Sequence, residues 1–319
     1  MNDQITIFNP IQSFIAPPII VREGERTSER FFEFFTANIS NDNTRLAYAR
    51  AVTRFLDWCE RSSVGLREIK PIMIAAYIKQ HGGSVPTVKQ HLAAINMFFD
   101  WMVTGQVISM NPTASVKAPK YSIKKGKTPV LSRADARHLL GSINTGHVVG
   151  LRDRALIALM VYSFARVSAV INMNICDYYA NGKRYWIRLH EKGGKYHEVP
   201  VHHNAEEYLD DYIAAADIRA DKNSPLFRTA RGKSQTLTRN RMSRQDAFYM
   251  IRRRAVDAGI TTPVGCHTFR ATGITAYLEN GGTIEHAQTI AAHESPRTTK
   301  LYDRTGDSIS LDEIERIRL

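Results

Sequence analysis

The chain has 319 residues, a formal net charge of +12, and 43% hydrophobic against 23% charged residues. It is long enough for two cores and too apolar to be disordered. Cys59, Cys176 and Cys266 are odd in number and lack a CxxC spacing, which argues against a disulfide framework or a zinc finger and predicts a reducing cytoplasm. No apolar run reaches 18 residues and the start lacks a basic stretch before an apolar one, so neither a membrane span nor a signal peptide is expected.

Residues 1–27, with Pro17 and Pro18 between short apolar patches, read as a loosely held arm without a fold of its own. From Ser28 to Gln106 the pattern is helical. Phe31, Phe34 and Phe35, then Leu46, Val52, Phe55, Leu56 and Cys59, recur at spacings of three and four. Asn43 or Thr44 is the expected cap of the second helix. Pro71 and Pro86 suit first helical turns, the latter before Val88, Leu92, Ile95, Phe98, Phe99 and Met102. The segment Asn111 to Val130 is rich in Pro and Lys with no apolar period, as a linker is. Its lysines, Lys117, Lys120, Lys124, Lys125 and Lys127, form either a solvated tether or a rail along a phosphate backbone.

Ser132 and Asp135 resemble a capping box opening a helix with Ala136, Leu139 and Leu140, and a second helix runs through Ala155, Leu156, Leu159 and Met160. Tyr185, Ile187 and Leu189 alternate with polar or amphipathic neighbours, reach Lys192-Gly193-Gly194-Lys195, and continue from Tyr196 to Val201, which predicts a β-hairpin. Helical patterns resume over 205–216, 245–258 and 268–279. The second half is thus mainly α with a small sheet.

No phosphate loop, nucleophile elbow or HExxH helix is present. What stands out is an ordered series: Arg166, Lys192, His267, Arg270, His293 and Tyr302. Singly, these are ordinary helix-end, turn, surface and core residues. Together they meet one chemical need. A phosphodiester under attack gathers negative charge on its equatorial oxygens, and two guanidiniums can bind that charge without a metal ion. Tyr302 must lose its proton as it attacks, which His267 is placed to accept, and a lysine on a hairpin tip can protonate the departing 5′-oxygen.

In that order the residues resemble the tyrosine recombinase family, which includes phage integrases and chromosome-dimer resolvases. The resemblance covers roughly residues 28–319. It implies a mainly α fold with a small β-sheet: an N-terminal arm (1–27), a helical core-binding domain (28–119), a basic linker (120–131) and an α+β catalytic domain (132–319) ending in an exchange helix, the whole a C-shaped clamp on DNA. It implies cleavage through a 3′-phosphotyrosine at Tyr302 with no cofactor and no metal, and a homotetramer on two double-stranded sites with inverted repeats, working on the nucleoid and away from membranes. Lys192 fits the family's lysine position better than Lys195, which stays the alternative and a DNA contact. One position departs. The family commonly carries Glu or Asp three residues after the first arginine, to orient it, and this chain has Ala169; Asp177 or a backbone carbonyl is the expected substitute. The rival readings are a type IB topoisomerase and a catalytically weakened DNA-binding relative.

Overall fold

The computed structural model describes residues 15–122, 126–191, 196–232 and 234–303. Contacts divide the chain into two compact units, Met1–Ser122 and Ile123–Leu319.

The first unit is helical: α1 (Pro18–Val21), α2 (Glu25–Ala37), α3 (Asp42–Arg61), α4 (Pro71–Gln80) and α5 (Val85–Thr104). Its core is aromatic. Phe31, Phe34, Phe55, Phe98 and Phe99 are fully buried, and Phe31, Phe34 and Phe98 meet edge to face, the arrangement that ring quadrupoles favour. Pro71 and Pro86 stand in first turns as expected. Three expectations change. The cap of α3 is Asn41, whose side chain accepts the Thr44 N–H, and Leu46 faces solvent at 41% exposure. The arm also reaches less far than residue 27. Ile19 and Ile20 are buried in the same cluster as Phe31 and Phe55, because a short apolar patch between prolines gains most of its stabilisation from a tertiary partner.

The linker is shorter than its composition suggests. The Asn111 side chain donates to Asn96 and Asp100 on α5, and Thr113 is buried, so residues 111–113 belong to the helical unit. At the other end, Leu131 is buried and its N–H donates to Thr272 Oγ1 at 3.0 Å. Lys117, Lys120 and Lys127 are exposed; Lys124 and Lys125 lie outside the described residues.

The second unit holds α6 (Arg133–Ser142), α7 (Val148–Tyr162), α8 (Val167–Ile171), β1 (Tyr178–Asn181), β2 (Arg184–His190), β3 (Tyr196–Pro200), α9 (His203–Ala215), β4 (Arg228–Ala230), β5 (Leu237–Arg241), α10 (Arg244–Asp257), α11 (Cys266–Glu279), α12 (Ile284–Ile290) and α13 (Pro296–Lys300). Ser132 caps α6 through the Asp135 N–H. The predicted hairpin is the β2–β3 pair, antiparallel with Ile187 opposite Val199 and Leu189 opposite His197. Ile187 and Leu189 are both buried, as the period-two alternation requires. β1 adds a third strand through Gly182, which at φ +63° suits a tight turn. β4 and β5 form a separate two-stranded sheet. The hairpin tip 192–195 and residues 304–319, with the expected exchange helix, lie outside the described residues. No helix among the described residues is long and apolar enough to cross a membrane.

Candidate active site

Four of the six residues in the predicted series converge through α11 and the chain that follows α12. His267 and Arg270 are three apart near the start of α11 and so share a helix face. The hydroxyl of Tyr302 lies 3.2 Å from His267 Nε2. The His293 ring is nearly parallel to that of Tyr302, with a 6° interplanar angle and centroids 5.9 Å apart. Arg166 caps the start of α8 with extended backbone, and its charge acts on both His267 and Arg270.

Arg270 is almost fully buried, at 1% exposure. It donates to the carbonyls of Phe164 and Ala291, the latter at 2.6 Å, while its Nε has no hydrogen-bond partner. Phe164 stands two residues before Arg166, and Ala292 just before His293. Both are non-glycine residues with left-handed backbone, at φ +54° and +47°. Such positions cost about 1–3 kcal/mol each and persist where surroundings impose them. Arg270 fastens the Phe164 corner through its own carbonyl and the Ala292 corner through that of the preceding residue. The guanidinium therefore organises the site as well as charging it.

Electrostatics follow from this burial. Desolvation, then Arg270 and Arg166, push His267 below the ordinary histidine value, and the same causes push His293 down to about 3. Both rings are neutral near pH 7, so His267 can accept a proton from a phenol. Desolvation and Arg166 pull Arg270 down to about 10, which still leaves it charged at neutral pH. His293 Nδ1 pairs with Thr299 Oγ1 at 2.8 Å, which leaves its other nitrogen for a ligand.

Several supports of this cluster escape the sequence reading. Thr299 lies on α13, and Thr275 of α11 donates to the Tyr302 carbonyl. The Gly126 N–H donates to the Leu301 carbonyl at 3.0 Å. Glu191, between β2 and the hairpin tip, accepts from Arg166 Nη1 at 2.5 Å. This corrects the expectation for Asp177, which accepts from the Asn174 N–H and pairs with His190 instead. An acid directly before the candidate lysine was the available signal for Glu191. Lys192 and Lys195 lie outside the described residues. Among the described residues, no group of three or more His, Cys, Asp or Glu converges as a metal site would.

A tyrosine hydroxyl against a neutral imidazole that feels two guanidinium charges can attack a phosphodiester. The sequence pattern of the phage integrase family matches residues 129–308, and that of the phage integrase N-terminal SAM-like domain matches residues 29–106. A relative, tyrosine recombinase XerD of Oceanobacillus iheyensis, is 27% identical over 289 residues, covering 87% of this chain and 93% of the relative. Among solved structures, the XerH site-specific recombinase bound to palindromic difH substrate superposes with a TM-score of 0.68 at 18% identity, covering 87% of this chain and 84% of that one. A λ integrase dimer bound to a COC′ core site gives a TM-score of 0.67 at 18% identity, covering 89% and 79%.

Proposed function

The chain belongs to the phage integrase family of tyrosine recombinases, site-specific enzymes that break and rejoin DNA, and we propose that Tyr302 is its nucleophile. The observation that carries this reading is the 3.2 Å approach of the Tyr302 hydroxyl to His267 Nε2 within the reach of two arginine charges.

In the proposed reaction the phenolic oxygen of Tyr302 attacks the scissile phosphorus and its proton passes to neutral His267. Arg166 and Arg270 hold the charge that develops on the equatorial oxygens, and the free nitrogen of His293 donates to one of them. The P–O5′ bond breaks, Lys192 protonates the leaving oxygen, and a 3′-phosphotyrosine remains. Because that bond keeps the phosphodiester energy, the 5′-hydroxyl of a partner strand reverses the step without ATP. Tyr302 meets a histidine of its own chain, which supports cutting in cis.

On this reading four copies assemble on two DNA sites with inverted repeats and exchange strands in two rounds through a Holliday junction. The exposed Lys117, Lys120 and Lys127 contact phosphates, a role the sequence also suggests for Lys124, Lys125 and Lys195, and the enzyme works on the nucleoid or on a mobile element. No observation favours a type IB topoisomerase.

The test is to select duplexes from random-sequence DNA with the full chain, nick the selected site so that the cleaved strand diffuses away, and map the covalent adduct by mass spectrometry. A 3′-phosphoryl adduct on Tyr302 is expected. An adduct on another residue, or a 5′-linked one, would overturn the mechanism.

A further inference from the structure

Ala169 stands three residues after Arg166, where relatives commonly place an acid. It is 1% exposed and packed in the core of the catalytic unit, so no carboxylate reaches Arg166 from that turn. A carboxylate arrives from another element. Glu191 follows the last residue of β2, and its Oε2 lies 2.5 Å from Arg166 Nη1. The Glu191 side chain is 7% exposed and that of Arg166 39%. The pair is thus partly desolvated on the acid's side, where a charge-assisted bond holds its geometry more firmly than a surface pair does.

The placement has a physical reason. The Arg166 charge disfavours that of Arg270, and Arg270 is fixed by two backbone carbonyls. Arg166 has the more exposed side chain and sits at the start of a five-residue helix, so like-charge repulsion would swing it outward before any phosphate arrives. Glu191 is anchored by strand pairing on one side, where His190 faces Tyr196. It opposes that swing through one guanidinium nitrogen.

We propose that Glu191 is a positioning residue: from the end of β2 its carboxylate holds Arg166 in the phosphate-binding pose. The proposal rests on reading Arg166 as a phosphate ligand. It acts through Arg166 and not through Lys192, although the lysine is the next residue.

The experiment measures single-turnover cleavage and equilibrium binding of the full chain on the selected nicked duplex. Variants are Glu191→Gln, Glu191→Asp, Arg166→Ala and the Glu191→Gln/Arg166→Ala double substitution. Glu191→Gln is expected to slow cleavage by about 10- to 100-fold, the range that follows from a misplaced catalytic group, with binding changed less than about 3-fold. Glu191→Asp, which keeps the charge on a shorter stem, should recover part of the rate.

In the Arg166→Ala background, Glu191→Gln should cost nothing further, since a residue that acts through a partner has no effect once the partner is gone. A 5′-bridging phosphorothiolate should not rescue Glu191→Gln, because the leaving group is not what Glu191 serves. If Arg166→Ala is slow while Glu191→Gln cleaves at the wild-type rate, the proposal fails and the site reading stands. If Glu191→Gln is faster, Glu191 is a brake occupying the phosphate position. Additive losses, or rescue by the sulfur substrate, also overturn it. A wild-type rate for Arg166→Ala would sink the site reading itself. Should Glu191→Gln melt early, Glu191→Asp decides: a partial loss of rate that disappears in the Arg166→Ala background supports the proposal, and a loss that persists there overturns it.

Discussion

Tyr302 and His267 are 35 residues apart in the chain, yet the phenol oxygen and the imidazole Nε2 lie 3.2 Å apart. The contact does not depend on the tyrosine hydroxyl for its placement. The Tyr302 carbonyl accepts from Thr275 Oγ1, its N–H donates to Thr299, and its ring lies against His293. Tyr302→Phe should therefore keep the fold and DNA binding while abolishing covalent attachment to a nicked substrate. A full yield of covalent complex from the variant, seen as a shifted band on a denaturing gel, would place the nucleophile elsewhere.

The two arginines should separate when stability and rate are measured together. Each substitution to alanine is expected to slow cleavage by about 10² to 10³-fold, the usual loss of one preorganised donor. Arg270→Ala also opens a hole in the core and leaves the Phe164 and Ala291 carbonyls without that donor, a loss on the order of 2–4 kcal/mol. Arg166→Ala, at a more exposed position, should lower the denaturation midpoint less, its cost being the nearly buried Glu191 carboxylate left without that cation. EDTA should change neither rate nor midpoint, and restoration of lost activity by a divalent ion would overturn a mechanism that rests on guanidiniums.

Acid should act through the two histidines. The folded state holds His293 down to about 3 against an ordinary 6.5, and His267 is lowered for the same reasons. Below pH 6.5 the unfolded chain binds protons that the folded chain refuses. Stability is therefore full above about pH 6.5 and falls as pH drops from there toward 3, by up to about 1.4 kcal/mol per pH unit for His293 alone. Cleavage should hold its plateau down to pH 6.5 and decline below it, as His267 loses its free nitrogen. Urea midpoints and single-turnover rates across that range check both, and a rate inflection above 6.5 would point to another proton acceptor.

Much of this site was legible because short-range spacing encodes it. A three-residue separation on a helix brings His267 and Arg270 to one face before any tertiary structure is known, and the β2 alternation of Ile187 and Leu189 fixes which side of the strand is core. What stayed hidden comes from chain segments meeting at a distance. Glu191 reaches Arg166 only because α8 packs beside β2, and no periodicity reports that. Ile19 and Ile20 looked like loose apolar residues until the aromatic core of α2, α3 and α5 covered them. Asn181-Gly182 is a turn signal, but the run before it, Tyr178 to Asn181, is only four residues long, too short for alternation to mark it as a strand.

Lys192 is proposed to serve the leaving group, so Lys192→Ala should cleave a normal duplex slowly and a 5′-bridging phosphorothiolate well, because sulfur departs without a proton. Lys195→Ala should behave nearly as wild type on both. Rescue confined to Lys195→Ala would exchange the two assignments.

The strap that leads into the catalytic unit offers a test of how tightly the tyrosine must be held. Gly126 donates its N–H to the carbonyl of Leu301, the residue directly before Tyr302, and a Cβ built on Gly126 would stand 2.5 Å from that same oxygen. Backbone cannot yield as the end of a long side chain can, so Gly126→Ala must push the strap and the Leu301 peptide apart. The downstream anchor, Leu131 N–H on Thr272, and the buried Leu131 side chain keep the rest of the strap in place, which directs the displacement toward Tyr302. A shift of about 1 Å in a reacting group can cost about 100-fold in rate. Gly126→Ala is thus expected to slow cleavage by about 10- to 100-fold, with DNA affinity nearly unchanged. Thr275→Val, which removes the hydroxyl donated to the Tyr302 carbonyl, should slow it in the same way from the opposite side. Wild-type cleavage by both variants would show that the phenol finds His267 without these backbone restraints.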